Sequence, residues 1–168
     1  MRTNGVYTLN KYHKASDKCL DLIKGFEGFS PVPYYCQGGK YTIGYGTTRG
    51  VHKGMRVTHE EAIEMLKADV QIFADAVSRL VKVPLNQNQF DALVSWTYNV
   101  GEGNLKNSTL LKLLNQGNYD DAALEIKKWR NITTWDKIKL AFVKIVSKGL
   151  VNRREAEYAL FVKPSNIC

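Results

Sequence analysis

The sequence predicts an α+β fold: a small β-hairpin lobe near the N-terminus, a long connecting helix, and a helical C-terminal lobe. Three observations predict it. Residues 31–48 are rich in Tyr, Thr and Ile and are interrupted by Gly38-Gly39, the composition of an antiparallel hairpin. From Thr58 onward, Ile63, Leu66, Val70, Phe73, Val77 and Leu80 keep to one helical face until Pro84. The stretch QFDALVSWTYNVG at 89–101 is apolar on nearly every side, as a helix at the centre of a bundle would be. These elements divide the chain into an N-terminal extension, 1–15, and one domain, 16–168. Within that domain 16–57 form the β-containing lobe, 58–82 the connecting helix and 83–168 the helical lobe.

In chain order, Ser16 can cap a first helix whose stripe Cys19, Leu22, Ile23, Phe26 follows the i, i+3, i+4, i+7 template and stops at Gly28. Cys19 is therefore expected in the core. The hairpin follows. Thr58 and Glu61 have the spacing of a capping box, and the helix they open, about 24 residues and so about 36 Å long, reaches from one lobe to the other. Shorter helices are expected around 108–116, closed by Gly117, and over 119–130, 134–147 and 152–162. A cleft between the lobes would suit an extended substrate.

Composition narrows the partners. The chain has 168 residues, 44% hydrophobic, enough for one packed domain. No apolar run reaches the length of a membrane span, and the opening MRTNGVYTLNKYHK mixes charge and polarity where a secretory signal needs an apolar core. A chain made and kept in a cytosol is the expectation. Three cysteines, Cys19, Cys36 and Cys168, without a CxxC spacing point to thiols rather than a disulfide framework or a structural zinc site. The net charge of +8 is uneven: residues 1–57 carry nine Lys or Arg against three Asp or Glu. Such a field draws in nucleic acid, anionic membrane or an acidic polysaccharide, or merely keeps the chain soluble.

The basic excess surrounds Glu27. At the end of a helix closed by Gly28, its carboxylate stands at the negative pole beside Phe26 and Phe29, and both surroundings disfavour ionisation. A carboxylic acid kept neutral beside a second ionisable group is what glycoside hydrolysis requires: one group protonates the leaving oxygen and the other activates water. Taken alone, a Glu before a Gly is far more often a plain helix end. Cys36 could instead serve a cysteine peptidase or amidase, which would need His13, His52 or His59 beside it. A thiol of that kind commonly sits at a helix start, whereas Cys36 leads into the strand-like YTIGYG.

Glu27, eight residues, Cys36, five residues, Thr42 resembles the Glu-x8-Asp/Cys-x5-Thr signature of phage-type lysozymes, glycoside hydrolase family 24. TIGYGTT is similar to the family's hairpin turn, and QFDALVSWTYNVGEG, NSTLLKLLNQGNYDDAALEIKKW and GLVNRREAEYALF resemble its later blocks in the family's order. The resemblance implies a two-lobed, lysozyme-like α+β fold. It also implies an endolysin that cleaves the bond between N-acetylmuramic acid and N-acetylglucosamine in peptidoglycan, without cofactor or metal. By position it implies catalytic roles for three residues: Glu27 as general acid, Cys36 as the group that activates or orients water, and Thr42 as a hydroxyl holding it. Thr48, Tyr98 and Ser108 match glycan-contacting positions, and Arg153 the arginine that reaches back toward the catalytic Glu. Ser108 also reads as an N-cap, and Tyr98 and Arg153 also read as packing and lobe-tying residues.

The chain departs from the family pattern twice. Between Trp129 and Gly149 it carries RNITTWDKIKLAFVKIVSK, longer than the family's short glycine-containing link. An amphipathic helix is expected there, with Trp135, Ile138, Phe142 and Ile145 on one face, lysines elsewhere, and contact of 134–147 with anionic membrane in view. The Cys36 position, more familiar as Asp, opens a rival reading as a wall-binding protein without hydrolase chemistry. The N-terminal extension has no weakly apolar export anchor, so passage through a holin is expected. The remaining expectations are peptidoglycan strands as partner, no nucleic acid, and a monomer.

Overall fold

The computed structural model describes residues 14–36, 39–136 and 138–164. Seven helices and two separate antiparallel hairpins make up the described chain: α1 Asp17–Glu27, β1 Ser30–Tyr35, β2 Tyr41–Gly44, α2 His59–Leu80, α3 Gln87–Val100, α4 Glu102–Lys106, α5 Thr109–Asn115, α6 Tyr119–Ile126, β3 Asn131–Asp136, β4 Ala141–Val146 and α7 Lys148–Val162. The predicted α+β class holds. The N-terminal extension as far as residue 13, with His13, and also Gly38, Lys137 and Cys168 lie outside the described residues.

Ser16 does precede α1, but its side chain does not cap the helix: its Oγ and N–H both donate to the Asp91 carboxylate on α3. That tie places α1 on α3, with Cys19 and Ile23 fully buried between them. The Thr58–Glu61 capping box forms as expected and starts α2, whose 22 residues pack on β2, α1, α3 and α4. A second box, Asn86–Gln89, starts α3 two residues earlier than the apolar run suggests. Helix α3 is the axis of the core: Phe90, Ala92, Leu93, Val94 and Trp96 are fully buried, and α1, α2, α4 and α7 lie around it.

The expected helix over 134–147 does not exist. Residues 131–146 form a hairpin instead, with register Asn131↔Val146, Thr133↔Lys144 and Asp136↔Ala141. The physical reason is residue type. Ile132, Thr133, Thr134, Val143, Ile145 and Val146 are β-branched and lose side-chain freedom in a helix. Asp136 accepts hydrogen bonds from the N–H groups of Ile138 and Lys139, at 2.9 and 3.0 Å, and so builds a turn in the middle of the run. Helix α7 therefore starts at Lys148, capped by Ser147, rather than near 152.

Candidate active site

Glu27 is the last residue of α1, and Gly28, with φ +70°, turns the chain away from it. Its Oε1 accepts a 2.6 Å bond from Nη1 of Arg153, which belongs to α7 at the other end of the chain. The sequence anticipated Arg153 reaching toward Glu27; it did not anticipate what holds Arg153. The guanidinium also donates to Glu157 Oε1 at 3.1 Å and to the Ser95 carbonyl at 3.3 Å. Glu157 is sandwiched, with the Ser95 hydroxyl donating to the same Oε1 at 2.9 Å and Arg154 Nε 3.0 Å from Oε2. Arg154 in turn donates to Asn99 at 2.8 Å. Two carboxylates, Glu27 and Glu157, thus alternate with two guanidiniums, which balances charges that burial would otherwise make costly. Burial pushes the Glu157 carboxyl up while the Arg154 and Arg153 charges pull it down, and burial brings the Arg154 guanidinium down to about 10.

The second oxygen of Glu27, Oε2, faces Gly46 in the turn after β2. Gly46 has φ +98°, and a Cβ there would stand 3.2 Å from both Glu27 Oε2 and the Tyr98 hydroxyl. Only the smallest residue fits the conformation and the space. The Tyr98 hydroxyl donates to the Tyr45 carbonyl at 3.0 Å, and its ring packs edge-on against Phe73 of α2. Burial first, and then the Glu27 and Asp69 charges, push that hydroxyl well up, with Arg153 opposing. The turn is pinned from below: Thr47 donates to Asp69 of α2 at 2.6 Å, and Arg49 pairs with the same carboxylate at 3.3 Å. Gly46, Thr48, Arg49, Asp69, Ile72, Phe73 and Tyr98 line a cleft of about 320 Å³. A larger cavity of about 580 Å³, between Asn99, Trp129 and the base of the β3–β4 hairpin, is lined by none of the anticipated site residues.

Cys36 follows β1 directly, where its N–H donates to the Lys40 carbonyl and its own carbonyl accepts from Gly39. Thr42 on β2 is buried opposite Tyr34. Burial first, and then the charges of Glu27 and Cys36, push the Tyr34 hydroxyl up. Arg49 is engaged by Asp69. The ring of His59 stacks on Phe29 at 3.7 Å, with Nδ1 on the Tyr45 hydroxyl. Glu27 is therefore joined to Arg153, its Oε2 and the Tyr98 hydroxyl both face Gly46, and Thr48 shares the cleft with Tyr98. Ser108 stands as the N-cap of α5: its hydroxyl donates to the Leu105 carbonyl and accepts from the Leu111 N–H.

Sequence reading missed Gly46, Asp69 and Glu157. A signal existed for two of them. Glu157 follows Arg153 and Arg154 at i+4 and i+3, the spacing of side chains that meet on a helix, and Gly46 lies between β-type runs where only a turn explains a glycine. Asp69 had none, because its partners Thr47 and Arg49 are twenty or more residues away in sequence.

The family model for phage lysozyme matches residues 24–157, a span that takes in Glu27, Cys36, Thr42, Tyr98, Arg153 and Glu157. The chain belongs to the phage lysozyme family. It is 40% identical over 146 residues to an endolysin of Acyrthosiphon pisum secondary endosymbiont phage 1, covering 87% of this chain and 96% of that one. It is 45% identical over 146 residues to the endolysin of Bacillus phage B103, covering 85% of this chain but only 52% of the relative. Among solved structures, the muramidase domain of SpmX from Asticaccaulis excentricus superposes with a TM-score of 0.83 at 36% identity, over 90% of this chain and 99% of that one. The chain therefore has the lysozyme-like fold that its sequence predicts.

Proposed function

We propose that the protein is an endolysin, a muramidase that hydrolyses the β-1,4 bond between N-acetylmuramic acid and N-acetylglucosamine in bacterial peptidoglycan and so lyses the host cell. It is a glycosidase of the lysozyme type, and its substrate is the glycan strand of the cell wall. The single observation that carries the reading is the divided carboxyl of Glu27: Arg153 holds Oε1, while Oε2 faces the turn at Gly46 beside the Tyr98 hydroxyl.

Oε2 is the atom that delivers the proton to the leaving glycosidic oxygen, and the Arg153 contact fixes the plane of the carboxyl for that transfer. Cys36 on the hairpin activates or orients the water that attacks the sugar, and Thr42 helps hold it. Tyr98 and Thr48 contact the glycan along the cleft. Of Ser108 we propose the capping role, because its hydroxyl already makes two bonds. Residues 16–168 act as one catalytic domain, a reading supported by the single buried cluster that draws from α1, α2, α3, α5, α6 and α7. The protein works as a monomer, which sedimentation at micromolar concentration tests. Among the described residues no helix is long and apolar enough to cross a membrane. For delivery to the wall we propose release through a holin. Induction without a holin should then give lysis only after the membrane is permeabilised.

Digestion of purified peptidoglycan tests the chemistry. New reducing ends without new amino groups are expected. New amino groups alone would mean an amidase or peptidase, and neither product would leave a wall-binding protein.

A further inference from the structure

The β3–β4 hairpin is built in a way that the catalytic reading leaves unused. Its strands contact each other far more than any helix, and a hydrogen bond from the Ser147 N–H to the Arg130 carbonyl closes its base. A two-stranded hairpin in water is marginal by itself, and burying apolar side chains is what normally secures one. Here the apolar side chains point outward instead. Ile138 is 95% exposed, Leu140 73% and Phe142 74%, with Ile145 and Val146 about half exposed behind them. Leu140 also takes φ +49°, a left-handed conformation that Gly or Asn adopts at lower cost, so a large apolar residue occupies a strained position with its side chain in solvent. Over 131–148 the chain carries four lysines and one acid, Asp136, whose carboxylate is committed to the turn.

Apolar side chains at a tip, lysines immediately beside them and almost no acid make a surface complementary to an anionic lipid interface, where rings and aliphatic groups enter the headgroup boundary and ammonium groups stay among the phosphates. A second copy of the chain fits poorly, because a symmetric contact would bring Lys139, Lys144 and Lys148 of both copies together. Glycan strands offer polar groups but no match for Ile138, Leu140 and Phe142. We propose that the β3–β4 hairpin is a membrane-docking finger, which seats the protein on an anionic bilayer with Ile138, Leu140 and Phe142 inserted and Lys139 and Lys144 against the headgroups. The site is independent of Glu27 and its cleft. It replaces the helical membrane contact expected from sequence over the same residues.

The test uses the full chain and vesicles of phosphatidylglycerol with phosphatidylethanolamine, against vesicles of phosphatidylcholine alone. Wild type should co-sediment at least about tenfold more strongly with the anionic vesicles, and the binding should weaken with salt, since each lysine near such a surface is worth about a fivefold change. Leu140→Gly removes one inserted side chain while relieving the backbone strain, so it should fold at least as stably as wild type and yet bind several-fold less. Adding Ile138→Ser and Phe142→Ser should abolish binding and leave the hydrolysis of purified peptidoglycan unchanged. Equal binding by the triple variant, equal binding to both vesicle types, or no binding at all would overturn the proposal. So would a wild-type dimer that the triple variant loses, or loss of peptidoglycan hydrolysis in that variant. Vesicle binding by a protein that proves inactive on peptidoglycan would leave this inference standing and remove the catalytic one.

Discussion

Gly46 is where backbone conformation and chemistry meet. Glu27 cannot retreat from a new methyl group because Arg153 holds it, and Tyr98 cannot because the Tyr45 carbonyl does. Gly46→Ala must therefore adopt a strained φ and crowd the proton-carrying oxygen at once, so we expect a loss of about 10²-fold or more in kcat with only about 1–3 kcal/mol of stability. Paired activity and thermal-melt measurements check this, and near wild-type turnover would show that Oε2 is not aimed at the turn. The thiol at 36 invites a second comparison. Ordinary thiols ionise near pH 8.5 and aspartate near 3.9, so a thiolate base needs a more alkaline medium than a carboxylate does. If Cys36 acts as base, the acidic limb of the pH–rate profile should lie at higher pH in wild type than in Cys36→Asp, and iodoacetamide should inactivate wild type alone. Superimposable profiles would leave Cys36 as a positioning group. Ser108→Ala should cost about 1 kcal/mol as a lost cap, with KM unchanged, read from melting and kinetics together.

Helix α7 does more for the site than any other element far from it in sequence. It carries both arginines and Glu157, and Glu157 is fully buried. Glu157→Gln leaves two guanidiniums facing a neutral amide and should destabilise the fold by about 3–5 kcal/mol, with lysis falling as Arg153 loses its second anchor. Denaturant unfolding measures the first effect, and a cost below about 1 kcal/mol would mean that water or relaxation satisfies the pair. Elements with strong local signals were legible in the sequence: the 59–80 helix from its capping box and stripe, the 30–44 hairpin from its glycines and β-formers, and the buried 87–100 helix from its apolar surround. The 131–146 segment misled because Trp135, Ile138, Phe142 and Ile145 happen to fall at helical spacing, while β-branched neighbours and the Asp136 turn decide the outcome. In the site, Glu27 and Arg153 were legible from motif positions. The Asp69 and Ser95 contacts depend on tertiary packing that no local pattern encodes.

At the scale of the molecule, the β1–β2 hairpin and its turn meet the helical core at one place, where α1 ends, α3 passes and α7 reaches in. Chain ends more than a hundred residues apart thus build a single carboxyl environment. If the net charge of +8 draws the protein toward an anionic wall, lysis should slow as added salt shortens the Debye length below about 8 Å. The central claim, however, is that one proton on Glu27 drives the cleavage. Its most direct test is Glu27→Gln, which keeps shape and hydrogen bonding to Arg153 but has no acid to give. Reducing-end release from purified peptidoglycan should fall by a factor of about 10² to 10⁴ or more while the melting curve still shows a cooperative fold. A folded Glu27→Gln that retains a tenth of wild-type release would contradict the account.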